Sequence, residues 1–395
     1  MSLLVRPGDS AIVLRNFCVT SNILPIIRMQ HHEIPVAVLQ HIFPSQTLSI
    51  FDFISFKSPS PIPVPQLEAG DIYLSDAEPN VSDDEIHPLL FMTPPPPSII
   101  QDLISCLHSV SPSTGRSVAH NVSSAKIKRY PLWVLTYWTE KNHVRGQKQQ
   151  WTQAQKTLQK LHQQGGNIRA LVDDVYVTLK HLPWSGSIEV FGEGHDIGYL
   201  HTYATAQWLK SNHENEMLDL LEEDISERPG TMIRPTDFIP SLLSVFRRRH
   251  GLKTSFVPLK PIAEAFISGG YQHLATIMNC KDIHWVALVI DFRQKTLWHG
   301  DSLGWPMEKE VMEALRWWLT KLTSEPLVYR KLEITHQRDS FSCGLLAWNA
   351  LAHFFQPANH PLIDPLNVAA ARLRVLVRLC QKHYHNVSCQ LLKWV

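Results

Sequence analysis

The sequence carries little charge and almost no bias in its sign. Of 395 residues 18% are charged, with 37 Lys+Arg against 36 Asp+Glu, a net charge of +1. That balance argues against a chain built to coat nucleic acid or to act as an acidic tail, and no nucleic-acid partner is evident. Cysteine is sparse: six residues, Cys18, Cys106, Cys280, Cys343, Cys380 and Cys389, lie scattered. Such spacing is not a disulfide framework and suits a reducing intracellular compartment, nucleus or cytoplasm. No apolar run approaches the roughly 18 residues of a membrane span. The opening MSLLVRPGDS lacks the apolar stretch and cleavage site of a secretory signal. Tryptophan is absent before Trp133, so the early part of the chain lacks the side chains that bury most area.

What is present is unevenly placed. All 12 tryptophans lie at or beyond Trp133, whereas 14 of the 27 prolines fall within the first 100 residues. The firmest core is therefore expected towards the C-terminus. Residues 1–56 read as a small N-terminal segment with apolar stretches at Ala11–Leu14 and Ile34–Phe43. Residues 57–128, with SPSPIPVP, SDAEPNVSDDE and TPPPP, read as a proline-rich, acidic linker with little fixed structure, so the N-terminal region as a whole is expected to be partly disordered. Residues 129–185 read as helical. Trp151, Ala154, Leu158 and Leu161 share one face, Gly165-Gly166 ends the run, and Lys141, Arg145, Lys148, Lys156 and Lys160 form a solvated side.

From residue 186 to 395 a folded domain is readable. Thr202–Leu221 and Phe238–Arg249 read as helices, the second with Arg247-Arg248-Arg249 in its last turn, where cations oppose the helix dipole. Strands are expected at His273–Met278, Trp285–Asp291, Thr296–His299 and Leu327–Thr335, with a helix over Met307–Leu322 started by Pro306. Helices and strands do not alternate strictly, so an α+β layer architecture fits better than a doubly wound sheet.

Two stretches could carry chemistry. In IHWVALVIDFRQKTLWHGDS, His284 opens one apolar strand and Asp301 closes the next, 17 residues on, with Arg293–Lys295 suited to a hairpin turn. Antiparallel pairing would bring imidazole and carboxylate to the same sheet end, where the carboxylate fixes the tautomer. Either residue alone is ordinarily structural, the aspartate as a turn cap. In QRDSFSCGLLAWNAL, Cys343 sits just before Gly344 and an apolar helix over Leu345–Phe355. Unpaired backbone N–H groups at a helix N-terminus favour a thiolate, and an imidazolium partner favours it further. Gln337, six residues earlier, offers an amide that could hold an oxyanion together with the Cys343 N–H.

The ordered set His284-Trp285, Asp301-Ser302, Gln337 and Cys343-Gly344 resembles the ubiquitin-like-protein protease family of the SUMO-protease type. The resemblance implies a papain-like cysteine protease fold, α+β with a mixed sheet flanked by helices, over about residues 186–375. It implies Cys343 as nucleophile, His284 as general base and then acid, Asp301 as its orienting carboxylate and Gln337 in the oxyanion hole. It also implies Trp285 and Trp208 as walls of a tunnel for the Gly-Gly tail of a SUMO-like modifier, since only glycine passes between two flat rings. Trp208-Leu209 would lie on an early helix. The family commonly has Asp directly before the cysteine, where this chain has Ser342. The activity implied is cleavage of a ubiquitin-like modifier or its conjugates, without metal or organic cofactor. A catalytically inactive modifier-binding scaffold and an acyltransferase with the same triad are the alternatives.

Two further motifs are weaker. Asp71–Glu85 places a short apolar triplet before an acidic cluster, the pattern of a SUMO-interaction segment or of a solvated linker. CQKHYHNVSC at Cys380–Cys389 has two Cys and two His in a spacing that matches no common zinc site, so no metal is assigned.

Overall fold

A computed structural model of the chain describes residues 42–58, 71–82, 88–109, 117–123, 126–191, 193–228, 230–249, 259–320 and 327–392. They belong to two compact units, Met1–Thr152 and Gln153–Val395. In the first, α1 (Ile50–Ser55) is capped by Ser49, whose Oγ accepts the Asp52 N–H. β1 (Ile72–Ser75), α2 (Pro97–Ser109), β2 (Ser117–Ser123) and β3 (Lys126–Pro131) follow. The strands form an antiparallel sheet in the order β1-β2-β3.

That sheet differs from the expectation of an unstructured 57–128. The strands are short, and the prolines of 57–128 lie outside them, with Pro131 at the very end of β3, so ladder hydrogen bonds survive. The apolar triplet after Asp71 is an edge strand paired with β2. Residues 1–41 of the small N-terminal segment, and 83–87 of the acidic cluster, lie outside the described residues.

α3 (Trp133–Gln163) crosses the division between the units. Two of its lysines depart from the solvated reading. Lys141 donates to the carbonyls of Leu90 and Met92, both at 2.7 Å, and Lys148 donates to Phe56 O. Burial, with Arg145 nearby, pushes the Lys141 ammonium down to about 8. Both are structural cations of the first unit.

In the second unit α4 (Gly166–Leu179) buries Val172, Val175 and Leu179 and packs on the C-terminal helix described below, whose Tyr384 hydroxyl donates to Thr178 O at 2.9 Å. The stretch read as a separate helical region, 129–185, is thus divided, and α4 packs within the second unit. A hairpin of β4 (Ser187–Val190) and β5 (Glu193–Asp196) leads into a 3-10 helix, Ile197–Ala204. Extended chain then reaches α5 (Ser211–Asp224). The single helix expected over Thr202–Leu221 is broken here, and Trp208 lies in the extended link.

β6 (Thr231–Ile233), α6 (Phe238–Arg247), α7 (Lys260–Ile267), β7 (His273–Cys280), β8 (His284–Asp291), β9 (Thr296–Gly300), α8 (Lys309–Thr320) and β10 (Val328–Lys331) complete the sheet region. The sheet order is β10-β9-β8-β7-β6. The central pairs are antiparallel and both outer pairs parallel, so the sheet is mixed. β8 is buried along its whole length, as its Val/Ile-rich run requires of a strand covered on both faces. On one face Leu274, Val286, Leu288 and Leu297 meet Leu242, Phe238 and Trp318 of α6 and α8. On β8 and β7 lies α9 (Cys343–Phe355), almost wholly buried. After a 3-10 turn at Pro365–Asn367, α10 (Val368–Leu392) closes the unit.

At the end of α6 the arginine triplet is spent locally. Arg247 makes a bidentate pair with Glu310, both contacts at 2.7 Å, and Arg249 lies over the Phe246 ring. No helix of the described residues is long and apolar enough to cross a membrane.

Candidate active site

The central hairpin delivers the imidazole. β7 and β8 are joined through Lys281 and Asp282, both with left-handed backbone (φ 54° and 59°), and Ile283 N–H donates to Cys280 O at 3.1 Å. This mirror-image turn matches the twist of the strands it joins, and it makes His284 the first residue of β8. β9 runs back antiparallel and ends at Gly300, placing Asp301 beside the start of β8. His284 Nε2 and Asp301 Oδ1 are 3.1 Å apart, both side chains buried.

The electrostatics of the pair are reciprocal. Burial alone would pull the His284 imidazole down, but hydrogen bonds to Asp301 and to the Cys343 thiol, with the charges of both, lift it to about 9. Burial would push the Asp301 carboxyl up; the bond to His284, its charge, and backbone N–H groups of Leu303 and Trp305 hold it below the usual carboxylate range instead. With Nε2 committed to Asp301, the ring nitrogen left for the thiol is Nδ1. Asp301 Oδ1 also accepts the Leu303 N–H at 2.7 Å, so one carboxylate orients both the ring and the loop after it.

Cys343 is the first residue of α9 and is 1% exposed. Its surroundings are not hydrocarbon alone: besides His284, Trp208 Nε1–H donates to Sγ at 3.2 Å. Trp208 stacks on Trp285, ring centroids 5.3 Å apart and planes within 17°. Trp285 is itself locked, its Nε1–H donating to Leu209 O at 2.7 Å. The two residues expected as tunnel walls thus lie against each other, and Trp208 also bonds the sulfur. At van der Waals contact no peptide chain fits between the two rings.

Gln337 is tied to the same loops. Its backbone N–H donates to Ser302 O at 3.1 Å, its Oε1 accepts the Ser302 hydroxyl at 2.8 Å, and its Nε2 donates to Asp339 O at 3.0 Å. One amide hydrogen is spent, and one is left for another acceptor.

Three residues at this site escaped the sequence reading. Asp339 supports the turn before the thiol: Oδ1 accepts the N–H of Phe341 at 2.9 Å and of Ser342 at 2.8 Å, and Oδ2 accepts the Ser342 hydroxyl. An Asp three residues before a Ser is a local side-chain-to-backbone turn signal, and it was there to be read. Glu214, on α5, is fully buried against the first turn of α9, and neither of its carboxyl oxygens has a hydrogen-bond partner among the described residues. Burial first, and the nearby Cys343 charge second, push its carboxyl well above the usual range. Arg372, on α10, is buried as well. Its Nη2 donates to Thr202 O at 2.6 Å and Gln207 O at 2.8 Å, and its guanidinium lies 5.6 Å from the Phe341 ring centroid. It therefore ties the segment carrying Trp208 to the turn carrying Cys343.

Among the described residues no cluster of three or more His, Cys, Asp or Glu could hold a metal ion. Cys380 is buried within α10, and burial pushes its thiol up to about 12. The Cys389 side chain lies outside the described residues.

Residues 264–383 match the model described as Ulp1 protease family, C-terminal catalytic domain. Among solved structures, the chain is similar to the SUMO protease Ulp1 with its catalytic cysteine oxidised to a sulfenic acid, at 14% identity over 55% of this chain and 96% of that one, TM-score 0.44. It is similar to the C-terminal Ulp1 protease domain in complex with SMT3, the yeast ortholog of SUMO, at 16% identity over 54% and 94%, TM-score 0.40. It is similar also to the Xanthomonas campestris effector XopD bound to ubiquitin, at 18% identity over 43% and 91%, TM-score 0.31. No curated protein sequence matches the chain.

Proposed function

We propose that the chain, whose residues 264–383 match the model of the Ulp1 protease family's C-terminal catalytic domain, is a thiol peptidase that cleaves after the Gly-Gly tail of a SUMO-like modifier. The observation that carries this reading is His284, which bonds Asp301 through Nε2 at 3.1 Å and shares a hydrogen bond with the Cys343 thiol. A sulfur, an imidazole and a carboxylate in that order are the parts of nucleophilic acyl transfer.

The chemistry follows from these groups. Cys343 transfers its proton to His284 and attacks the carbonyl carbon of the terminal glycine. The oxyanion that forms is held by the Cys343 N–H and the uncommitted Gln337 amide hydrogen. His284 returns the proton to the leaving nitrogen, the C–N bond breaks, and a thioester remains on Sγ. Water, giving its proton to His284, then attacks the thioester and releases the modifier's carboxylate and the thiol. Asp301 keeps the imidazole in one tautomer and stabilises its cation throughout. Trp208 moves off Trp285 for the tail to enter, and the absence of a side chain on glycine is what lets it lie between the rings.

The test is an electrophilic modifier-tail probe on the purified full chain. Wild type forms a covalent adduct that Cys343→Ala cannot form, and His284→Ala abolishes turnover of a modifier conjugate. No adduct from a folded, reduced protein, or an adduct that survives Cys343→Ala, overturns the reading. Tight modifier binding without turnover would favour the scaffold alternative. Labelling of Cys343 by acetyl-CoA would favour the acyltransferase.

A further inference from the structure

One aromatic ring in the site has no part in the mechanism above. The Trp305 ring centroid is 5.1 Å from that of His284, the planes tilted by 54°, yet Trp305 is 47% exposed. A large apolar side chain left half in water is not explained by core packing. Its neighbours along the chain share the feature: Leu303 is 40% exposed, and Ile283, next to His284, 63%.

The loop that presents Trp305 is built rather than slack. Asp301 accepts the backbone N–H groups of Leu303 and Trp305 on its carboxylate, and the Gly304 N–H on its carbonyl at 3.0 Å. Gly304 takes a left-handed backbone (φ 75°), and Pro306 restricts Trp305 to an extended one. The carboxylate that orients the imidazole therefore also fixes the indole against it.

Acyl transfer has two ends. The acyl carbon is bound at the sulfur, beside Trp208. The departing nitrogen must come within hydrogen-bond reach of the His284 ring to collect its proton. Whatever that nitrogen is attached to then leads away across the surface around the imidazole, where Trp305 stands. An apolar, flat face suits a chain of methylenes, as in the stem of a lysine joined through its ε-amide. It does not suit a peptide continuing from an α-amine, whose N–H and C=O groups would find no partner on an indole.

Resting on the peptidase reading, we propose that Trp305 is the leaving-group subsite, which takes the aliphatic stem of a lysine in an isopeptide-linked substrate and so favours deconjugation over cleavage of linear precursors.

The test compares two substrates that share one diglycine-ended modifier, the first joined to the ε-nitrogen of a lysine in a peptide, the second continued from the α-nitrogen as a linear peptide. With the full chain, Trp305→Ala is expected to lower kcat/KM for the ε-linked substrate by about tenfold and to change the linear substrate less than twofold. Trp305→Phe, which keeps an aromatic face, is expected to recover most of the loss. Equal losses on both substrates would make Trp305 a support of His284 alone and overturn the subsite, as would no loss on either. If wild type turns over neither substrate, the peptidase reading itself falls, and this inference with it.

Discussion

Glu214 and Gly344 touch so closely that no side chain could stand between them: a Cβ built on Gly344 would lie 1.8 Å from Glu214 Oε1 and 2.7 Å from its Cδ. In an ordinary helix interior, Gly→Ala stabilises by up to about 1 kcal/mol. Here the sign is reversed, because the buried carboxyl has no solvent into which to turn. Gly344→Ala should destabilise by about 1–3 kcal/mol through overpacking. Glu214→Ala should relieve most of that, so the double variant departs from additivity, as chemical denaturation of the four proteins would measure.

The His284–Asp301 pair sets a pH window. A base raised in the fold contributes stability below its unfolded value, near 6.5, and loses it as pH rises through about 9. The depressed Asp301 reports the same interaction from the acid side, lost as pH falls through a carboxyl held below its usual range. Activity that uses the imidazolium should therefore decline with an alkaline limb near 9. Asp301→Asn should move that limb down towards the ordinary imidazole range of about 6.5 and lower kcat roughly a hundredfold or more. A pH–rate profile of both proteins checks this, and an unmoved limb would count against it.

Asp339 supports the turn before Cys343 through the backbone of Phe341 and the backbone and hydroxyl of Ser342. Asp339→Ala removes the acceptor for two backbone N–H groups and one hydroxyl. We expect a loss of about 1–2 kcal/mol in stability. A roughly tenfold lower kcat at little-changed KM should accompany it, since the thiol is displaced and not the binding surface. Ser342→Ala, which keeps both N–H contacts, should lose less in each assay.

Arg372→Met should destabilise by about 1–3 kcal/mol, because two hydrogen bonds from a charged, buried guanidinium to the Thr202 and Gln207 carbonyls are lost. Since Trp208 follows Gln207 directly, its indole should also loosen. The fluorine resonance of Trp208 in 5-fluorotryptophan-labelled protein, assigned with Trp208→Phe, should shift before global unfolding in a urea titration.

Much of this architecture was legible in the residues. The run from His284 to Asp291, the turn at Arg293–Lys295 and the strand ending at Gly300 announce an antiparallel hairpin, and the fold pairs them so. The helix after Cys343 was equally plain, because Cys343–Phe355 is apolar almost throughout. The buried polar layer was not. In NHENEMLDLL, Glu214 reads as one of several acids on a solvated helix face, and only the approach of Gly344, 130 residues on, makes it interior. The helix read across Thr202–Leu221 is instead a 3-10 helix ending at Ala204 and an extended link, and the Thr202 and Gln207 carbonyls there also accept Arg372 from far along the chain, a contact that local sequence does not show. Between residues 57 and 128 the prolines lie between short strands, so composition suggested a linker where alternation is too brief to be seen.

The indole resting on the sulfur also governs how the idle protein ages. Conversion of a thiolate to sulfenic acid requires an oxygen atom to be delivered to Sγ along an open line of approach. With Cys343 covered by Trp208, itself held flat against Trp285, that line exists only while the ring is swung aside. Oxidative damage should then follow how often the enzyme opens for work, more than how much peroxide surrounds it.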